Sequence, residues 1–120
     1  MATPNLKSIA TVTPGILDSR QLANGANTVY TVPASKAVKL ASLVLANVTA
    51  VPVTVTVSIV PSGGAVDGTH VIVSAYVLAA NDSVTITEVA GLWMGDGDKV
   101  AINSSAAASV DSTLSGLLFA

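Results

Sequence analysis

Residues 50–64 read AVPVTVTVSIVPSGG. Val53, Val55, Val57 and Ile59 alternate with Thr54, Thr56 and Ser58. A period of two puts the aliphatic side chains on one face of an extended strand and the hydroxyls on the other. Proline and a glycine pair then stop it. The aliphatic face needs a core. The other face carries neither charge nor a reactive group. Hydroxyls tolerate burial when hydrogen-bonded, whereas Lys and Glu resist it. The pattern therefore implies a strand whose outer side is covered, by another sheet or by a neighbouring subunit.

Working outward, turn signals recur at short, even intervals. TVYTVP (28–33) is a short strand ended by proline, and KAVKLASLVLAN (36–47) is a longer one. In the latter the apolar phase runs through Val38 and Leu40, then shifts to Leu43 and Leu45, which predicts a β-bulge near Ala41 and Ser42. After the glycine-rich loop 61–69 come HVIVSAYVL (70–78), SVTITEV (83–89), the short apolar element around Trp93, KVAIN (99–103) and a closing strand over 109–119. The total is seven or eight strands with no sustained helical period and no room for crossover helices. The expected fold is all-β: an antiparallel two-sheet β-sandwich, jelly-roll-like. Val38, Leu40, Val84, Ile86, Val100 and Ile102 should share its core with the valines of 53–59.

The first 27 residues break this rhythm. A strand over 7–13 is interrupted by Pro14 and Gly15, and ILDSRQL (16–22) suits one helical turn. Residues 1–27 are therefore expected to be an N-terminal arm or edge segment, with 28–120 the sandwich domain. Ile9, Val12, Ile16, Leu17 and Leu22 are apolar enough to need partners, and a neighbouring subunit or particle would supply them. Trp93 and Met94, flanked by glycines, join them as candidate interface residues.

Composition narrows the function. The 120 residues are 51% hydrophobic and only 10% charged, with net charge −2 and no cysteine. An average domain carries about 25% charge. Disordered chains are polar and charged, so this one is expected to fold. Disulfides and Cys-based zinc sites are excluded. The five basic residues are scattered and aromatics make up 3%, which leaves no phosphate-binding patch or stacking platform for nucleic acid. No apolar run reaches the ~18 residues of a spanning helix, so no membrane partner is expected. The first residues lack a long apolar stretch, and no signal peptide is expected.

No motif carries chemistry. His70 is the single histidine and starts a strand after a loop. There is no nucleophile elbow, and Ser62–Gly64 lacks the lysine of a phosphate loop. Asp96 and Asp98 in GDGDK (95–99) have the spacing of calcium-loop ligands, but no glutamate follows at the twelfth position, so a Gly/Asp turn is the expected role. Catalytic, cofactor and metal residues are all expected to be none.

The order of the segments is informative. TVYTVPASKAVKLASLVLAN is followed by VTVTVSIVPSGG, HVIVSAYVLAANDSVTI and GLWMGDGDKVAINSSA. Over residues 28–120 this series resembles small structural proteins of tailed bacteriophages. Their strands carry a YTVP start, a long strand ending in Asn, a strand-loop with Pro and Gly, a His-led strand and a GDxV strand in the same order. The resemblance implies a non-enzymatic β-sandwich on the virion, oligomeric, tail- or fibre-associated or decorating the capsid. Its partners would be itself, most simply as a trimer, and other virion proteins. A carbohydrate-binding module of a host-recognition appendage is the alternative. It has only Trp93, Tyr30 and Tyr76 for a sugar platform.

Overall fold

The computed structural model describes residues 11–66 and 68–120. Ile9 and the first part of the 7–13 segment lie outside them. Nine strands are present among the described residues: β1 (Val12–Gln21), β2 (Gly25–Thr31), β3 (Ala37–Asn47), β4 (Val53–Val60), β5 (Val71–Leu78), β6 (Ser83–Thr85), β7 (Trp93–Met94), β8 (Lys99–Ser104) and β9 (Val110–Phe119). One 3-10 turn, Thr87–Val89, stands where the sequence suggested the end of a strand.

Two antiparallel sheets form. One has the order β1-β9-β3-β6, with β7 also pairing β3, and the other has the order β2-β8-β4-β5. The pairing is nested. The outermost strands β1 and β9 pair, then β2 and β8, then β3 with β6 and β7, and finally β4 with β5. This is one long hairpin, closed by the 61–70 loop and rolled so that its strands divide between two sheets. Such nesting defines a jelly roll. The expected β-sandwich is the fold.

The core lies between the sheets. Val53, Val55 and Val57 face Leu40, Leu43 and Leu45, with Val100, Ile102 and Leu114 beside them, and each is at most 2% exposed. Ile59 and Val84 are half-buried and pack against this cluster. The β3 bulge lies where the hydrophobic phase placed it, with β3–β9 register shifting between Leu40 and Ser42. Val55→Ala removes fully buried methyls and should cost about 2–3 kcal/mol. Thr54→Ala, on the opposite face, should stay within about 0.5 kcal/mol. Urea or thermal melts giving equal shifts for the two variants would reverse the assigned faces.

Residues 16–22 are not a helical turn. They continue β1, hydrogen-bonded along β9 from Val12↔Phe119 to Gln21↔Asp111, with a bulge between Ile16 and Asp18. That bulge shifts the apolar phase and imitates helical spacing in the sequence. Residues 12–27, read above as arm or edge segment, contribute β1 and the start of β2. Leu22 belongs to the core and is not an interface residue. Its N–H donates to Val110 O, its carbonyl accepts from Ala108 N–H, and its side chain is 1% exposed.

Candidate assembly surface

Two hydroxyls on the outer side of the four-stranded sheet, Thr56 of β4 and Ser105 beyond β8, bond within the chain. Thr56 Oγ1 accepts the N–H of Ala75 at 3.0 Å, and Ser105 Oγ accepts the N–H of Thr54 at 3.0 Å. Beyond them the β4–β5 loop folds back over this face. Ser58, Val60 and Ala101 are buried although they point away from the core. Val66 and Gly68 of the loop close over Thr56, Ser58, Val71 and Asn103 around an open cleft of about 380 Å³. The cover over part of this face is thus the chain's own loop, and not the second sheet or the neighbouring subunit that the alternation implied. On the other sheet, Ser42 and Ser115 hydroxyls pair across β3 and β9 at 2.8 Å.

Asp98 anchors the loop. Its Oδ1 accepts Ser62 N–H at 2.9 Å and its Oδ2 accepts Gly95 N–H at 2.8 Å. Asp96 Oδ2 accepts Ser35 N–H at 3.1 Å. Both carboxylates therefore organise turns. His70 lies where the loop re-enters the sheet, its carbonyl accepting Ile59 N–H at 3.1 Å. Among the described residues no cluster of His, Asp and Glu has the makings of a metal site. Burial pushes the Tyr30 phenol above its ordinary pKa, which keeps it neutral in the half-buried position it takes against the core.

Each open sheet edge is interrupted by a different device. Thr11 and Ala120 exchange both backbone hydrogen bonds at 3.0 Å. By alternation, Val12, Pro14 and Ile16 then turn their backbone polar groups away from β9, to the free side of β1. Pro14 has no N–H there, which weakens this edge as a template for another strand. On the free side of β2, Arg20 donates to Thr28 O and Val29 O at 3.3 Å each, while Asp18 holds the guanidinium with two 2.8 Å bonds. Those bonds and the carboxylate charge raise the Arg20 pKa further above its ordinary value. In β5 two register shifts against β4, with Ala75 at φ 48°, break the pattern. β6 and β7 are only three and two residues long. Strand addition is discouraged on every side.

The faces differ. On the outer side of the five-stranded sheet, among the described residues, an apolar corner is exposed. Ile16 is 68% exposed, Trp93 53% and Val12 52%. Phe119 packs against Trp93 with ring centroids 5.1 Å apart, and Lys39 Nζ lies 5.5 Å from the Trp93 ring centre. Register links these residues across the sheet: Val12 opposes Phe119, Pro14 opposes Leu117, and Lys39 opposes both Leu117 and Trp93. Trp93, Val12 and Ile16, nominated from sequence, thus lie on one face. Leu17, at the bulge, is half-buried against the core. Met94 is core, 2% exposed, because it pairs with Val38 and strand alternation turns it inward while Trp93 turns outward. Lys39, Leu117 and Phe119 were not nominated. Their outward phase depends on a register with β7 and β1 that lies 54 or more residues away in sequence.

A scan against protein-family models finds no match, and a search of curated proteins finds none. Among solved structures the fold is similar to that of a protein of Bacillus endospore appendages, described as disulfide-linked pili, with TM-score 0.51 and 24% identity over 91% of this chain and 88% of that one. A chain of the infectious bursal disease virus Gx strain gives TM-score 0.45 and 13% identity, covering 91% of this chain and 32% of that one. A chain from the capsid of Helicobacter pylori bacteriophage KHP30 gives TM-score 0.44 and 14% identity, covering 93% and 90%. At these identities the first likeness shows a shared fold.

Proposed function

We propose that this chain is a non-enzymatic structural subunit that assembles with copies of itself on a bacteriophage particle, associated with the tail or fibre or decorating the capsid. The observation that carries the reading is the exposed apolar corner around Trp93, Val12 and Ile16, on a domain whose sheet edges are all interrupted. Contiguous exposed apolar surface on a soluble domain marks an interaction site, and interrupted edges keep association off the edges. The jelly roll also serves in capsid and lectin domains, so the fold by itself does not choose between them. The spore-appendage protein belongs to disulfide-linked pili. The sequence has no cysteine, so no disulfide from these residues joins copies.

Sedimentation velocity and light scattering over a concentration series test the reading. The expected result is a homo-oligomer at tens of micromolar, most simply a closed trimer. A monomer persisting to several hundred micromolar overturns self-assembly. Saturable glycan binding in an array screen, lost in Trp93→Ala, would instead favour a carbohydrate-binding role.

A further inference from the structure

The chain carries a second exposed apolar group, at the opposite end of the sandwich. Val51 is 65% exposed, Val77 60% and Val48 50%. Val48 and Val51 belong to the β3–β4 loop, and Val77 lies one residue before the end of β5. Asn47 ties this loop to the end of β5: its amide donates to Val51 O at 2.8 Å, to Ala79 O at 3.2 Å and to Leu78 O at 3.3 Å. This group belongs to the end where β3 finishes and β4 begins. The Trp93 corner belongs to the end where β3 starts and β9 finishes.

Charge divides along the same axis. Among the described residues, Lys36, Lys39 and Lys99 lie at or near the start of β3 and β8, on the Trp93 end. The Asp96 and Asp98 carboxylates at that end accept backbone N–H groups. At the valine end lie Asp82, whose carbonyl accepts Asn47 N–H, and Asp111, opposite Gln21 at the far end of β1 and β9. Arg20, the cation at this end, is paired with Asp18. The carboxylates at both ends accept local N–H groups, Asp82 from Ser83 and Asp111 from Gln21 Nε2. By sign, then, lysines outnumber aspartates at the Trp93 end, while Asp82 and Asp111 stand at the valine end beside the mutually neutralised Arg20–Asp18 pair.

Two copies meeting through the same end would set surfaces of like net charge against each other. Meeting head to tail, they match apolar surface to apolar surface and lysine to aspartate. We infer that self-association is heterologous, with the Trp93 corner of one copy seated on the Val48–Val51–Val77 surface of the next. Such a contact closes into a ring, the trimer included, or runs on as a filament, depending on the rotation it imposes. This inference rests on the proposed self-assembly and adds which two surfaces meet.

Two charged substitutions separate the possibilities. Trp93→Glu spoils one surface and Val77→Lys the other, each adding the sign of charge its partner surface already carries, both at exposed positions, and unchanged melting temperatures would show that each variant folds. Should Trp93→Glu fail to fold, Ile16→Glu spoils the same corner. Each variant alone should lose assembly, with the apparent Kd raised roughly thirtyfold or more. A 1:1 mixture should form a dimer of one copy of each, because a single intact contact remains between them, and should grow no further. If Val77→Lys assembles as the unsubstituted chain does, or if the mixture stays monomeric, the inference is overturned while self-assembly stands. An unsubstituted chain that is itself monomeric overturns both.

Discussion

Gly116→Ala is expected to lower the melting temperature by roughly 15 °C, corresponding to about 3 kcal/mol. Gly116 lies in β9 at the place where the β3 bulge presses against it. A Cβ there would run into the carbonyl oxygen of Lys39, and would stand 3.2 Å from Leu40 Cα and 3.3 Å from Leu17 Cδ1. Two of the three neighbours are backbone, and β3 and β9 are inner strands of the five-stranded sheet, so neither moves without disturbing its partners. Gly68→Ala is the control, since a Cβ there meets nothing within 4 Å. Differential scanning calorimetry of the two variants checks the expectation. Similar melting temperatures would mean that β3 and β9 separate freely at the bulge.

Asn47→Ala should be nearly as damaging, at about 3 kcal/mol. Asn47 is 2% exposed and ends β3. Besides its three donations to carbonyls, its Oδ1 accepts Thr49 N–H at 3.0 Å and Thr49 Oγ1–H at 2.8 Å. One side chain thus ties the end of a strand in one sheet to the end of β5 in the other, through the loop that links the sheets. Removing it takes a partner from the buried Leu78 O and from the part-buried bonds to Val51 O, Ala79 O and Thr49, and an unpaired group that water cannot reach costs about 1–3 kcal/mol. Asn47→Asp should not rescue, because a carboxylate accepts but cannot donate to three carbonyls. Hydrogen exchange gives the local signature: the Thr49 amide should lose protection. Its retention would show that water replaces the amide. Asn47-Val48-Thr49 also matches a glycosylation sequence pattern, but a buried amide committed to three carbonyls is not an acceptor in the folded chain.

Strand alternation was legible because burial of one face is a local demand with a period of two. It placed Val53, Val55 and Val57 in the core, and the slipped phase of β3 placed the bulge. Turn chemistry was legible for the same reason only at Asp98, which accepts Gly95 N–H within its own turn, whereas its bond to Ser62 and that of Asp96 to Ser35 join segments distant in sequence. The same local reading misled at residues 16–22, where a bulge in an edge strand has the spacing of a helical turn. It also misled at Leu22 and Met94, where an apolar side chain looks alike whether it meets the chain's own core or a neighbour.

The sequence by itself determined an all-β chain with one aliphatic face per strand, because periodicity and turn residues act within a few residues of each other. Only the tertiary structure decided which strands are neighbours. The nested order β1/β9 to β4/β5 joins segments up to a chain length apart, and register between them, not pattern within them, selects the residues that share an outer face. That is why Phe119, Lys39 and Trp93 meet in one corner, and why the Val48–Val51–Val77 group stands at the other end. A surface made of residues from four strands exists only once those strands are paired.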